Sequence, residues 1–343
     1  MTGQPSSPQT QAFGYGFSWR KRWLVRRFCG FDKVRFVQDA RRVPIGATLL
    51  LWGSTPAPPG LGQGVAVVRL EDGFLRSVGL GADLTLPLSW VMDGVGIYYD
   101  ATRPSALETL LQEGACTDAL LRRARNFRER VVAEGLTKYN LGALPWRRPD
   151  KECRVVLVPG QVESDASIAF GAVDIRTNLD LLRAVRQSRP QAWLIYKPHP
   201  DVVAGLRDRG RGEEQAAAYC DEVVQDVSMH ELLGAVDEVH VMTSLTGFEA
   251  LLRGKPVVCW GLPFYAGWGL TEDRHGLSRR SRRLTLDELV AAALLLYPVY
   301  LSRVTRRRCT PEQALDELLA WRQSRAPRDR WWRKWVRPLL ARP

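Results

Sequence analysis

Residues 238–261, EVHVMTSLTGFEALLRGKPVVCWG, run from an apolar segment (238–244) through a helical one (247–254) into a second apolar segment (256–261). Strands covered on both faces read as continuous apolar runs, and two of them joined through a helix by tight turns make a parallel pair. The same pattern extends toward the amino end: strand RVVLVPG (154–160), helix NLDLLRAVRQSRP (178–190), strand AWLIYK (192–197) and helix SMHELLGAV (228–236). Residues 151–305 therefore predict a Rossmann-like domain with a parallel sheet covered by helices. Its ligand belongs beyond the carboxyl ends of the strands.

Upstream, LPWRRPDKE (144–152) reads as an interdomain linker. Before it, GATLLLWG (46–53) and VAVVRL (65–70) read as buried strands, and WVMDGVGIYYD adds a strand-like stretch near 90–99. Residues 105–134 carry helical periodicity, with Ser105 as N-cap and Gly114 and Gly135 as stops. Residues 19–146 thus predict a second α/β unit, also Rossmann-like. Residues 1–18, rich in Ser, Pro, Gln and Thr, are expected to be disordered, and 306–343 to form a helical, basic, tryptophan-bearing tail.

Composition narrows the function. The 343 residues are 45% hydrophobic and 25% charged, enough for real cores, and 49 basic against 37 acidic residues give +12. An anionic partner follows: nucleic acid, a membrane surface or an anionic substrate. The six cysteines show no CxxC pair and no zinc-like spacing, so they read as reduced thiols. No run reaches the length of a membrane span and the start is polar, which predicts a cytoplasmic location or attachment to the cytoplasmic face of a membrane.

Four clusters fall at strand ends. KPHPD sets Lys197 and His199 past a strand, donors suited to a phosphate or carboxylate. In TSLTGFE, Ser244 or Thr246 caps a helix whose first turn holds Glu249; the amides and hydroxyls there suit an anion, and equally an ordinary N-cap. In GQVESDAS, Glu163 and Asp165 suit nucleophilic or acid/base work, with helix capping as the alternative. EDG pairs Glu71 and Asp72, which can split into one ionised and one high-pKa member; a charged turn is the alternative. No GxxxxGK[ST] loop occurs, so ATP hydrolysis has no support. The stretch 260–273, WGLPFYAGWGLTED, suits either a sugar or base platform or a packed buttress. His230 and His240 read as structural, and His275 remains open.

RLEDGFLRSVGLG with PLSWVMDGVGIYYDATRPSALE, then KYNLG, VPGQVESDASI, KPHPD and TSLTGFEALLRGKPVVCWGLPFYAGWGLTED together resemble the KpsC-type capsular polysaccharide Kdo transferases. The resemblance covers about residues 45–300, with one copy of each motif where KpsC proteins usually carry two modules. It implies a GT-B architecture, two Rossmann-like domains facing a cleft, and transfer of β-Kdo from CMP-β-Kdo, with retention, onto a phospholipid-linked oligo-Kdo acceptor. Asp165 would then be the nucleophile and Asp72, beside Glu71, the acid/base, with Glu163 a further candidate. Gln161, Lys197, His199, Ser244, Thr246 and Glu249 would hold the donor. No DxD-like pair sits at a suitable strand end, so no metal and no cofactor are expected. The alternatives are a GT-B transferase of another nucleotide sugar, or a non-catalytic partner of the capsule assembly.

The carboxyl end from Trp321 holds four tryptophans and seven arginines plus Lys334, and WRKRW (19–23) adds more of both. Tryptophan and basic residues favour an anionic lipid interface, expected for the part beyond Pro327, with a terminal helix packed back onto the first domain as the alternative. A peripheral place on the cytoplasmic face of the inner membrane is expected, with capsule export or assembly proteins as further partners and no nucleic acid.

Overall fold

The computed structural model describes residues 11–75, 87–114, 116–138, 144–150 and 152–324. Its strands, in chain order, are β1 (Gln11–Tyr15), β2 (Lys33–Val37), β3 (Thr48–Trp52), β4 (Ala66–Asp72), β5 (Ser89–Asp93), β6 (Val155–Pro159) and β7 (Trp193–Lys197). They continue with β8 (Glu222–Val223), β9 (Glu238–Val241), β10 (Val257–Cys259), β11 (Glu272–Asp273), β12 (Pro298–Leu301) and β13 (Arg308–Cys309). The helices are α1 (Trp19–Phe28), α2 (Ala106–Glu113), α3 (Asp118–Ala133), α4 (Ala166–Gly171), α5 (Asn178–Ser188), α6 (Pro200–Val203), α7 (Met229–Ala235), α8 (Leu245–Leu252), α9 (Leu286–Val290) and α10 (Pro311–Ser324).

The second sheet, in the order β11-β10-β9-β6-β7-β8, is parallel throughout. This is the arrangement that the alternating runs predict, and its central strands β6 and β9 are fully buried. The first sheet, β13-β12-β5-β4-β3-β1-β2, is mixed. Strands β1 to β4 run parallel, whereas β5 and β12 pair antiparallel beside them.

Three expectations need correction. Residues 11–18 are ordered, because Gln11–Tyr15 forms β1 between β2 and β3. The polar segment before them hides a short strand with aromatics at Phe13 and Tyr15, in which Gly14 lies against Phe36, where a Cβ would come within 2.6 Å of the ring. The strand expected over 90–99 stops at Asp93, whose carboxylate accepts the Val95 and Gly96 amides through Oδ1 and the Ala106 amide through Oδ2. An aspartate taking the amides that follow it folds the chain into a turn. Third, β12 lies within the range expected for the second domain, yet it pairs with β5 of the first sheet. The chain returns there through α9 and a π-helical segment over residues 291–296.

The expected tail also divides. Up to Ser324 it packs on the first domain: α10 buries Ala314, Leu315, Leu318 and Leu319, and Arg303 covers the Trp321 ring at 3.3 Å. The rest of the expected tail lies outside the described residues.

One apolar cluster runs through both domains, joining Leu88 and Val91 to Leu157, Val239 and Val241. Beside it, buried Glu108 of α2 accepts from Arg280 Nε at 2.9 Å and is also bonded to Arg279 Nε. Arg280 Nη1 in turn donates to the carbonyls of Pro263 and Ala266 at 2.6 and 2.8 Å. Removing one member of such a buried pair strands the other charge. Glu108→Ala is expected to cost ~3–5 kcal/mol, read as a lower thermal unfolding midpoint, whereas a change near zero would show that the pair does not join the domains.

Candidate active site

A cavity of about 630 Å³ lies between the two sheets. From the second sheet it is lined by the loops leaving β6, β7 and β9, which carry Gln161 and Asp165, Lys197 and His199, and Ser244, Thr246 and Glu249. From the first sheet it is lined by Glu71 and Asp72 at the end of β4, by Tyr98 and Tyr99, and by Thr137 and Lys138. Of the ten residues expected from the sequence, nine therefore line one cleft.

The tenth, Glu163, does not. Its two oxygens accept the amides of Asn178 and Arg211 at 2.8 and 2.9 Å, so it ties the start of α5 to the loop at 211. The motif VESDAS places two carboxylates two residues apart, and only the fold separates the strut from the cleft residue. Asp165 both lines the cavity and caps α4, its Oδ1 accepting the Ser167 amide at 2.9 Å. Capping and the cleft position are thus compatible.

Gln161 is a brace. Its side-chain oxygen accepts the Thr243 amide at 2.9 Å, its side-chain nitrogen donates to Thr243 Oγ1 at 3.0 Å, and its backbone exchanges two bonds with Asn178. It locks the end of β6 to that of β9. Ser244 caps α8 by accepting the Thr246 amide at 3.2 Å, and the Tyr265 hydroxyl donates to the Ser244 carbonyl. Gly247 permits this, since a Cβ there would meet the Tyr265 hydroxyl at 2.3 Å. Glu249 is buried with Oε1 on the Lys138 amide, and burial raises its pKa.

The two expected cationic ligands behave differently from the sequence reading. Lys197 Nζ donates to the carbonyls of Gln225 and Val227 at 2.7 and 2.8 Å, and burial lowers its pKa. Two of its three protons are therefore committed to holding the loop after β8. His199 caps α6, with Nδ1 accepting the Asp201 amide at 3.2 Å; burial pushes its pKa down to about 4. It is neutral at pH 7 with its proton on Nε2, a donor rather than a cation. Lys138 and Arg207 also line the cavity and bring further positive charge.

Strand β4 continues through Asp72 instead of ending at Leu70, and Glu71 and Asp72 pair with Val91 and Trp90 of β5. Glu71 Oε1 accepts the Asp72 amide at 3.0 Å. Burial, then the charge of Asp72, pushes the Glu71 carboxyl up to about 7. Of the two, Glu71 carries the raised pKa. Tyr98 and Tyr99 line the same cavity, the Tyr99 hydroxyl donating to Glu71 Oε2 at 3.5 Å, and burial and the charges of both Glu71 and Asp165 raise the pKa of each hydroxyl.

The aromatic stretch resolves as a buttress. Tyr265 and Trp268 are fully buried, and Trp260 donates to His240 Nδ1 at 3.1 Å. Phe264 alone of these rings reaches the cavity wall. His240 is buried against Glu238, as its place inside a strand predicts. Tyr98, Tyr99, Lys138 and Arg207 were missed. The first two sit in a turn that reads as a strand, and the others carry no local motif beyond the lysine of KYNLG, whose later residues lie outside the described residues.

The Glu71 shift has a measurable sign. Below about pH 4.5 the carboxyl is protonated in both folded and unfolded chains; between there and about 7 only the unfolded chain ionises, so stability falls as pH rises. Glu71→Gln is expected to raise the unfolding midpoint by ~2 °C or more at pH 8 and by less than ~1 °C at pH 5. An equal gain at both pH values would assign the effect to packing.

Comparison with known proteins places the chain. The family model of the capsule polysaccharide biosynthesis proteins matches residues 60–141 and 119–305. The capsule polysaccharide modification protein LipA of Neisseria meningitidis serogroup B is 43% identical over 314 residues, covering 89% of this chain and 45% of LipA. The chain thus spans about half the length of that relative. Two solved structures from Thermosulfurimonas dismutans are similar throughout. The KpsC β-Kdo 2,7 transferase has a TM-score of 0.76 at 40% identity, covering 91% of this chain and 99% of that one. The KpsC β-Kdo 2,4 transferase has a TM-score of 0.78 at 34% identity, covering 90% and 98%. The two-sheet cleft is accordingly a GT-B-like α/β fold, and the chain belongs to the capsule polysaccharide biosynthesis protein family, of the KpsC type.

Proposed function

We propose that the chain is a glycosyltransferase module that moves β-Kdo from CMP-β-Kdo onto a phospholipid-linked Kdo acceptor, with retention, in capsular polysaccharide biosynthesis and export. One observation carries this reading: carboxylates from both domains, Glu71 and Asp72 from one and Asp165 from the other, line a single cavity that also holds His199, Lys138 and Arg207. The 40% identity across 99% of a KpsC β-Kdo transferase supports the choice of sugar.

In this mechanism Asp165 attacks the anomeric carbon of Kdo as the bond to CMP breaks, and the electron pair leaves with the CMP phosphate. The acceptor hydroxyl then attacks the same carbon and gives its proton to Asp72 while the Asp165 oxygen departs. Two inversions at one carbon retain configuration. Below about pH 7, Glu71 holds a proton, which lets Asp72 carry the charge of that pair without like-charge repulsion. His199 donates to the phosphate or the Kdo carboxylate through Nε2, and Lys138 and Arg207 supply charge as the phosphate leaves. Ser244, Thr246 and Glu249 bind the rest of CMP. These groups make metal unnecessary in the proposed reaction. The anionic lipid-linked acceptor puts the work on the cytoplasmic face of the inner membrane, beside the capsule export machinery.

The test is turnover of CMP-Kdo, generated in situ, with a synthetic Kdo-terminated acceptor. Elongated product is expected from the native chain, and Asp165→Ala should lower the rate by ~10³-fold or more. No turnover and no CMP binding would overturn the reading in favour of a non-catalytic assembly partner. Product from a different nucleotide sugar alone would replace the donor. EDTA is expected to leave the rate unchanged; inhibition reversed by magnesium would refute the metal-free mechanism.

A further inference from the structure

The amino-terminal helix carries a face that the proposed reaction does not use. Helix α1, WRKRWLVRRF, buries Val25 and Phe28 against the first sheet. Its opposite side exposes Trp19 at 76% and Trp23 at 38%, and Arg20, Arg26 and Arg27 lie beside them, also exposed. Large apolar side chains are expensive to leave in water in such a cluster, so the exposure itself points to a partner.

A second element meets this face. The turn between β12 and β13 exposes Val304 at 78% and brings Arg306 to 5.9 Å from the Trp23 ring. Arg308, the first residue of β13, donates to the Phe28 carbonyl at the end of α1, at 2.9 Å from Nε, which holds the turn and the helix together. Neither α1 nor residues 303–309 contains an Asp or Glu. Arg20, Arg26, Arg27, Arg306 and Arg307 form no salt bridge among the described residues. Arg20 and Arg27 instead lie over Trp19 and Trp23, at 5.3 and 5.5 Å from the ring centroids.

We propose that this face is a docking surface for an anionic lipid bilayer. Tryptophans flanked by arginines, with no carboxylate in either segment and Glu317 of α10 turned to the Ser302 hydroxyl and the Arg303 amide, match an interface where apolar rings enter the headgroup layer and cations meet lipid phosphate. A nucleic acid would also meet the charge, but the exposed Val304 and the outward Trp19 fit a lipid surface better than a hydrated groove. The position is informative too. Lys21 of the same helix lies over the Trp52 ring at 3.3 Å, and its charge is felt by Glu71 on the cavity wall. Docking through α1 therefore sets the first-domain wall of the cleft next to the membrane, where a lipid-linked acceptor enters. This last point rests on the proposed acceptor; the docking itself does not.

The experiment is flotation of the full chain with vesicles of phosphatidylcholine alone or mixed with phosphatidylglycerol. Binding is expected only to the mixed vesicles, falling as salt rises. Arg26→Glu with Arg27→Glu should weaken it by more than tenfold, since each basic residue near an anionic surface contributes about fivefold. Trp19→Ala with Trp23→Ala should weaken it at high salt as well as low. Val304→Asp, on the separate turn, gives an independent variant should the helix substitutions disturb folding, and is expected to weaken binding too. Flotation of all three variants like the native chain would overturn the proposal, as would release from the vesicles by equimolar duplex DNA with the same dependence on these residues. Turnover of CMP-Kdo on a short soluble acceptor should be unchanged in the variants. Lost flotation with intact turnover separates this proposal from the donor reading, and face-dependent flotation without any turnover leaves docking standing alone.

Discussion

Phe74, two residues past the Glu71–Asp72 pair, lies on Phe264 with ring centroids 4.6 Å apart, and this contact between the two domains sets the geometry of everything in the cleft. Tyr98 meets Phe74 edge-on at 4.8 Å, and Phe248 of α8 packs on Phe264 at 5.2 Å. The rings come from the loop after β4, the turn after β5, the helix after β9 and the loop after β10. Each is one step along the chain from a cleft residue: Gly73, Tyr99, Glu249 and Pro263. Aromatic packing is directional as well as apolar, so the joint fixes the distance between the two walls rather than merely covering surface. The buried Glu108–Arg280 pair stands on the same joint, because Arg280 also holds the carbonyls flanking Phe264.

Within that frame the cleft is electrostatically graded. Glu71 is shifted up to about 7, so near neutral pH it keeps a proton that an isolated carboxyl would have lost, and His199 is shifted down to about 4, so it stays neutral even in mildly acidic conditions where an isolated imidazole would charge. Burial is the larger cause in both. It keeps the imidazole a neutral donor and favours a proton on the glutamate, while the proposed reaction gives the covalent and proton-transfer work to Asp165 and Asp72. Lys197 illustrates the opposite use of a charged group: its ammonium is turned to backbone carbonyls and shapes the wall.

Much of this was legible in the chain. The apolar runs of 154–160, 192–197, 238–244 and 256–261 specify a parallel sheet because only burial on both faces tolerates them, and the residues after each run are then at the ligand end. Of the ten candidate residues named from that rule and from the motifs, nine line the one cavity. What escaped depended on partners distant in sequence. Residues 11–15, QAFGY, are short, interrupted by a glycine and joined to a polar segment, yet become a strand because Lys33–Val37 and Thr48–Trp52 flank them. Tyr98 and Tyr99 belong to a run that looks like a strand, and only the capping by Asp93 turns them into the cleft.

The sequence by itself determined the parallel second sheet, the strand-end clusters and the family, since these rest on local periodicity and on motifs a few residues long. Only the tertiary structure decided where each carboxylate sits and what it touches. Glu163 and Asp165 are separated by one residue, but Glu163 is consumed by two amides and Asp165 reaches the cleft; Glu71 and Asp72 are adjacent, but only burial and repulsion assign the raised pKa. Hydrogen-bond partners from residues 178 and 211, and the dielectric made by rings from four different loops, have no local signature, because they exist only once the chain has brought distant segments together.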